Sequence, residues 1–429
     1  MTSSLLLRNG TVIDTAPAPR VLGRADVLVE DGRIAAVGPG LTAPAGAEVL
    51  DATDRIVMPG LVDTHRHTWQ TGIRAILPDS TLPAYLQRVL GELAPRYRPD
   101  DVYTGTLAGA LECLDSGITT VVDWSHIMFS PDHTDADIAA LRASGVRAVF
   151  GYCYGGGDDL DALAAETTRV HREYFEAQSG PVSMWLAALG PEIAGEARAL
   201  AEWRLARDLG LPVTVHMGGH GAGSAARGLA FLEDNGLLGH PAMYVHANFY
   251  TDEAFKKIAA NGGTVSATPG VEAALGIGDP ATGRAHAAGV PIGLGADTVA
   301  SGPGDMFGVM RAAYFLERAR PDGAGTWFTT AQALRAATLG GAEVAGLADV
   351  TGSLTPGKQA DLIVLRTDSL GMAAAHDPIA AVVLSAETRH VDTVLVGGRV
   401  LKRAGVLQGH DVPSLLDAVR SSAGRLAAA

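Results

Sequence analysis

From Met58 onward, short apolar runs alternate with longer stretches of helical period, the pattern of a parallel sheet covered by helices. Eight runs can be read: IVMPGLVDTH, ITTVVDW, VRAVFGY, VSMWLAALG, LPVTVH, AMYVHANF, GTVSATP and VPIGLGAD. Between them, PDDVYTGTLAGALECLDSG, TDADIAALRASG and EARALAEWRLARDLG carry helical periodicity, and each ends in a glycine suited to a helix C-cap. Eight βα units over roughly 300 residues predict a (β/α)8 barrel, with an open doubly wound sheet as the alternative.

The chain ends read differently. SLLLRNGTVID, ADVLVEDGRIAAVG and AEVLDATDRIVM are strand-like, with hairpin signals at Asn9-Gly10 and Asp31-Gly32. After Gly352 the strand pattern returns in GSLTPGKQADLIVLRTD and DTVLVGGRVLKRAG, and VPSLLDAVRSSAGRLAAA reads as an amphipathic helix. The predicted organisation is therefore a barrel over 58–352, a small β-sandwich built jointly from 1–57 and 353–405, and a terminal helix over 406–429.

Composition narrows the function. Of 429 residues, 47% are hydrophobic and 19% charged, which fits a folded globular enzyme and excludes a disordered chain. A formal charge of -14 without any basic run argues against nucleic acid as a partner. Cys113 and Cys153 form no Cys-x-x-Cys pair, so a reducing, cytoplasmic setting is expected. The amino-terminal apolar stretch is too short for a signal peptide, and no run of about 18 apolar residues predicts a membrane span.

In a (β/α)8 barrel the reacting groups sit at the carboxyl ends of the strands. There the sequence offers His65-Arg66-His67 on the first strand, His216 on the fifth, His246 on the sixth and Asp297 on the eighth. On an extended strand, residues two apart face the same side, so His65 and His67 can offer nitrogens to one cation. A further histidine and a carboxylate complete a four-donor set suited to zinc or iron, with an open position for water.

These residues sit in motifs that resemble the amidohydrolase superfamily. MPGLVDTHRHTWQTGIRAI resembles its first-strand motif; VTVH, YVHANF and GLGADTVAS resemble its later strand ends; GSLTPGKQADLIVL and VDTVLVGGRVL resemble its flanking β domain. The nearest likeness is to the cytosine deaminase and triazine hydrolase branch. The resemblance implies that His65, His67, His216 and Asp297 hold one divalent metal, most simply zinc with iron as the alternative. It implies further that Asp297 takes a proton from water and that His246 orients water or contacts substrate. Binuclear relatives use a strand-four lysine, but VSMWLAALGPEIAG has none, nor does any position before 256. One metal is therefore expected, with Glu192 as the nearby acid that could disturb that count. The family's members commonly form homo-oligomers, and the implied substrate is a small nitrogen heterocycle.

One departure matters. The branch's deaminases place a glutamate three residues after the strand-five histidine, and here that position is Gly219. General acid catalysis contributes typically ~10²–10⁴-fold, so a replacement is expected from His220 or Glu272. The alternatives are a leaving group that needs no proton, as in dechlorination, or opening of a cyclic amide. A lyase or isomerase, or a binding protein on the same scaffold, also remains open. Trp69 and Gln70, directly after the metal pair, are expected to line the pocket and hold a flat ring. The glycine-rich stretch 218–228 is expected to form a mobile loop.

Overall fold

A computed structural model describes residues 4–177, 180–321 and 324–428 of the chain. Its centre is a parallel sheet of eight strands: Leu61–Arg66, Ile118–Met128, Arg147–Tyr154, Val182–Ala188, Val213–Met217, Ala242–His246, Thr264–Ala267 and Ile292–Leu294. They pair in sequence order, and the last meets the first through the Asp297 N–H to the His65 carbonyl (2.8 Å) and the His67 N–H to the Asp297 carbonyl (3.1 Å). The barrel expectation holds. At this seam a Cβ on Gly295 would lie 2.7 Å from the His65 carbonyl oxygen, and one on Gly293 would lie 2.4 Å from the Thr64 methyl. Only glycine lets the two strands approach so closely.

The helices end as their sequences suggest. Pro131–Ser144 and Glu196–Leu209 stop at Gly145 and Gly210, both left-handed, while Pro99–Asp115 reaches its left-handed glycine, Gly117, one residue later. Among the described residues no helix is long and apolar enough to cross a membrane.

The chain ends form the second sheet, in which eight strands make one hydrogen-bonded path from Val406–Leu407 to Arg33–Gly38 and Glu48–Asp51 pairs with Ser4–Asp14 beside it. Leu5, Val27, Val57, Leu362 and Leu395 share its apolar cluster, so both ends of the sequence build the same small core.

Three local expectations change. The run IVMPGLVDTH is two strands: Arg55–Pro59 joins the outer sheet and Leu61–Arg66 the barrel. The chain crosses at Gly60, where a Cβ would fall 2.1 Å from Thr119 Oγ1. Asn9-Gly10 is no hairpin but a bulge within strand Ser4–Asp14, with Asn9 at φ 64° and the register shifted between Leu7 and Gly10. Asp31-Gly32 does turn a hairpin, pairing Glu30 with Arg33. The terminal helix starts only at Val412, because Val406–Leu407 still pairs with Arg399–Arg403.

The barrel is tied to the outer sheet by a buried ion pair. Arg147 donates to both oxygens of Asp361 at 2.6 and 3.0 Å, and Asp361 also accepts from the Gly397 N–H at 2.7 Å. Removing one partner of a buried pair leaves an uncompensated charge and costs about 3–5 kcal/mol. Arg147→Met should therefore destabilise the protein by about that amount in urea unfolding. A loss below about 1 kcal/mol would mean that backbone N–H donors alone satisfy Asp361.

Candidate active site

The strand-end residues converge at the carboxyl end of the barrel. Alternation along Leu61–Arg66 turns His65 and His67 to one side and Arg66 to the other, where it donates to the Gly304 carbonyl at 2.7 Å and pairs with Asp63 at 3.5 Å. His65 Nε2 and His67 Nε2 lie 3.4 and 3.2 Å from Asp297 Oδ1. His216 Nε2 lies 3.2 Å from His65 Nε2. His67 Nδ1 donates to the Trp124 carbonyl at 2.6 Å, which leaves the Nε2 lone pair facing the cluster.

This donor set fits a cation. Ligand atoms of His65, His67 and His216 lie within 4.8 Å of one another, as do those of His65, His246 and Asp297. Two ring nitrogens 3.2 Å apart can share at most one proton, whereas a cation between them satisfies both lone pairs. The protonation states agree. Burial pushes His65 down to about 4 against the pull of Asp297, and burial together with the neighbouring histidines holds His216 well below the usual histidine range. Burial alone would raise Asp297, but hydrogen bonds from His65 and His67 outweigh it and hold the carboxyl well below the usual carboxylate range. Near neutral pH His65 and His216 are thus neutral imidazoles beside an ionised Asp297, the form that binds metal.

The backbone is strained where the chemistry sits. His246, Ala247 and Asp297 have φ of 74°, 61° and 59°, a left-handed conformation that non-glycine residues adopt at a cost of order 1–3 kcal/mol. His246 Nδ1 faces Thr268 Oγ1 at 3.1 Å and Glu272 Oε1 at 3.4 Å. Burial works against charge on His246, but its hydrogen bond to Glu272 and the charges of Asp297 and Glu272 prevail and raise its pKa.

Above the cluster lies a cavity of about 250 Å³. His67, His216, His246 and Asp297 form its polar floor, Tyr85, Trp124 and His126 its aromatic wall, and Leu82, Leu86, Leu90, Ile193, Leu275 and Ile277 its apolar sides. Glu192 and His220 also reach it.

The structure places the remaining expected residues unevenly. His220 is on the cavity wall. Trp69, Gln70 and Glu272 are fully buried and absent from that wall, so the expectation that they touch substrate is corrected. After His67 the chain turns into the helical turn Thr68–Ile73, which carries Trp69 and Gln70 beneath the wall. There Trp69 Nε1 donates to His126 Nδ1 at 3.3 Å and Gln70 Nε2 to Tyr85 Oη at 2.6 Å. Glu272 accepts the Thr268 N–H at 2.7 Å and stands behind His246. The stretch 218–228 is mostly the start of helix Ala222–Asp234 and not a loop. Gly228 lies where a Cβ would meet Glu192 Cγ at 2.9 Å.

His126 was missed because the second strand was read as ending at Trp124. It runs on to Met128, and His126 stacks on His67 with ring centroids 4.4 Å apart. Period two from Trp124 was the signal. Leu82, Leu86 and Leu90, spaced by four in the helical segment 82–93, were likewise legible as one apolar face.

Comparison with known proteins agrees with this geometry. A model of the amidohydrolase family matches residues 56–401. A 5-methylthioadenosine/S-adenosylhomocysteine deaminase of Desulforudis audaxviator is 30% identical, over 98% of this chain and 99% of its own. The zinc-bound structure of an adenosine deaminase from Xanthomonas campestris superposes with a TM-score of 0.90 at 28% identity, covering 100% of this chain and 99% of the other. An atrazine chlorohydrolase from Arthrobacter aurescens in complex with zinc gives 0.88 at 26%, covering 98% and 100%.

Because Glu272 acts on His246 and not on the cavity, Glu272→Gln should lower the His246 pKa in imidazole NMR titrations, since the carboxylate favours the imidazolium. Metal content should not change. Loss of metal in this variant would make Glu272 part of the binding set.

Proposed function

The chain belongs to the amidohydrolase family, and from that premise we propose that it hydrolyses a carbon–nitrogen bond of a small nitrogen heterocycle, replacing a ring amine by hydroxyl. One observation carries the reading: three imidazoles and one carboxylate converge on the floor of a cavity with aromatic and apolar walls. Zinc, with iron accepting the same donors, would be held by His65, His67, His216 and Asp297 and supplies the Lewis acidity that makes water nucleophilic near neutral pH.

The chain's own groups do the rest. Asp297 takes the proton that the attacking water gives up; its second oxygen faces Thr268 Oγ1 at 3.5 Å. His246, whose charged form Glu272 and Asp297 favour, donates to the charge that develops on the substrate as water adds. Trp124, His126 and Tyr85 offer faces on which a flat ring can lie. The leucine and isoleucine sides favour an apolar substituent over a charged one. Cys113 and Cys153 are buried free thiols, which supports a cytoplasmic location.

A second reading has one observation in its favour. Gly219 carries no acid, and a Cβ there would meet nothing closer than 3.5 Å, so the position holds neither a donor nor a steric demand for glycine. Displacement of chloride needs no proton donor, and a chlorohydrolase is among the structural relatives.

The metal-loaded protein, assayed on aminopurine nucleosides, aminotriazines and their chloro analogues, should release ammonia, and Asp297→Asn should lower turnover by at least ~10²-fold. Chloride release without ammonia would favour the second reading. Turnover unchanged in Asp297→Asn would contradict the role given to that carboxylate.

A further inference from the structure

On the side of the cavity formed by the fourth and fifth strand ends, His220 and Glu192 face each other. His220 Nδ1 and Glu192 Oε2 are 3.4 Å apart, and among the described residues neither atom makes a hydrogen bond. The Glu192 side chain is shielded from solvent while His220 keeps 24% exposure, and both line the cavity.

The fold goes to some length to put Glu192 there. It lies on the short turn Gly190–Ile193, whose entry is fixed by Glu202 accepting the N–H groups of Leu189 and Gly190 at 3.2 and 3.1 Å. Gly190 is left-handed, and a Cβ there would strike Val215 Cγ2 at 2.6 Å. Gly228 clears the space beside the Glu192 Cγ. The Gly218 N–H, at 2.8 Å, anchors Oε1 and thereby aims Oε2 at His220.

A buried carboxylate that faces one ring nitrogen of a histidine lining a reaction cavity is the arrangement that orients the imidazole. The other titratable groups on this cavity wall are His67, His126, His216, His246, Asp297 and Tyr85. His67, His216 and Asp297 belong to the proposed metal set. His126 is held neutral by burial and the neighbouring histidines, burial pushes the Tyr85 phenol upward, and His246 is engaged with Glu272 and Asp297.

We propose that His220 is the proton donor to the departing group and that Glu192 is its positioning residue. The inference rests on the hydrolase reading above. As water's oxygen forms its bond to the ring carbon, its proton passes to Asp297. As the carbon–nitrogen bond breaks, the electron pair leaves with nitrogen, which takes the proton from the His220 imidazolium and departs as ammonia. The proton on Asp297 then restores His220 through solvent, so one water and one ring amine give one ring hydroxyl and one ammonia.

The test has two arms on the metal-loaded full chain. In the first, imidazole NMR follows His220 in wild type and in Glu192→Gln. Pairing predicts that the neutral His220 ring carries its proton on Nδ1 in wild type and on Nε2 in Glu192→Gln, because the anchored amide offers N–H where the carboxylate offered oxygen. An unchanged tautomer overturns the pair. In the second, kcat and KM are compared for matched purine and triazine probes that differ only in amine or chloride at the reacting carbon. His220→Ala should lower kcat on the amine by at least ~10²-fold with little change in KM, and should spare the chloride. Equal losses on both probes, or none on either, overturn the donor role. Wild type that converts neither probe counts against the hydrolase reading and the donor role, while the NMR arm still decides the pairing.

Discussion

Asp297 closes the barrel with its backbone and gathers the histidines with its side chain. Its N–H and carbonyl bridge the last strand to His65 and His67, and its Oδ1 lies within 3.4 Å of the nitrogens of both residues. Seam and site are therefore one object. The glycines at 293 and 295 that let the strands meet also bring the carboxylate within reach of its partners, and the left-handed φ of Asp297 is the local cost of serving both ends.

The electrostatics follow from that closure. Burial drives His65 and His216 to the neutral form, and a lone buried carboxyl would keep its proton; the histidines beside Asp297 hold that carboxyl as an anion instead. The same logic recurs one layer out, where Glu272 favours charge on His246 from behind and Glu192 faces His220 from the side. Two histidines with carboxylate partners thus border a cavity whose sides are otherwise mostly apolar. Such a wall discriminates by shape and by the few polar groups that pierce it.

Much of this was legible in the sequence because it rests on periodicity. Period-two alternation put His65 and His67 on one face, and the βα alternation put His216, His246 and Asp297 at strand ends. What adjacency suggested was less secure. Trp69 and Gln70 follow the metal pair directly, yet a helical turn after His67 carries them under the wall. Glu272 follows the seventh strand, yet the helix Pro269–Leu275 turns it toward Thr268 and His246 and away from the cavity. His126 went unread because a buried strand continued four residues past its apparent end. Gly60 and Asn9 show the same limit: a switch between sheets and a bulge are set by neighbours distant in sequence, Thr119 for the one and Asp26, whose carboxylate accepts the Asn9 N–H at 2.8 Å, for the other.

The central claim is that the barrel mouth binds one divalent metal through four strand-end residues. Elemental analysis of the purified protein tests it most directly, comparing wild type with His65→Ala and His216→Ala of matched circular dichroism. The account predicts about one zinc or iron per folded wild-type chain, lost in both variants. A folded wild type without metal after zinc loading, or variants that keep it, would contradict the account.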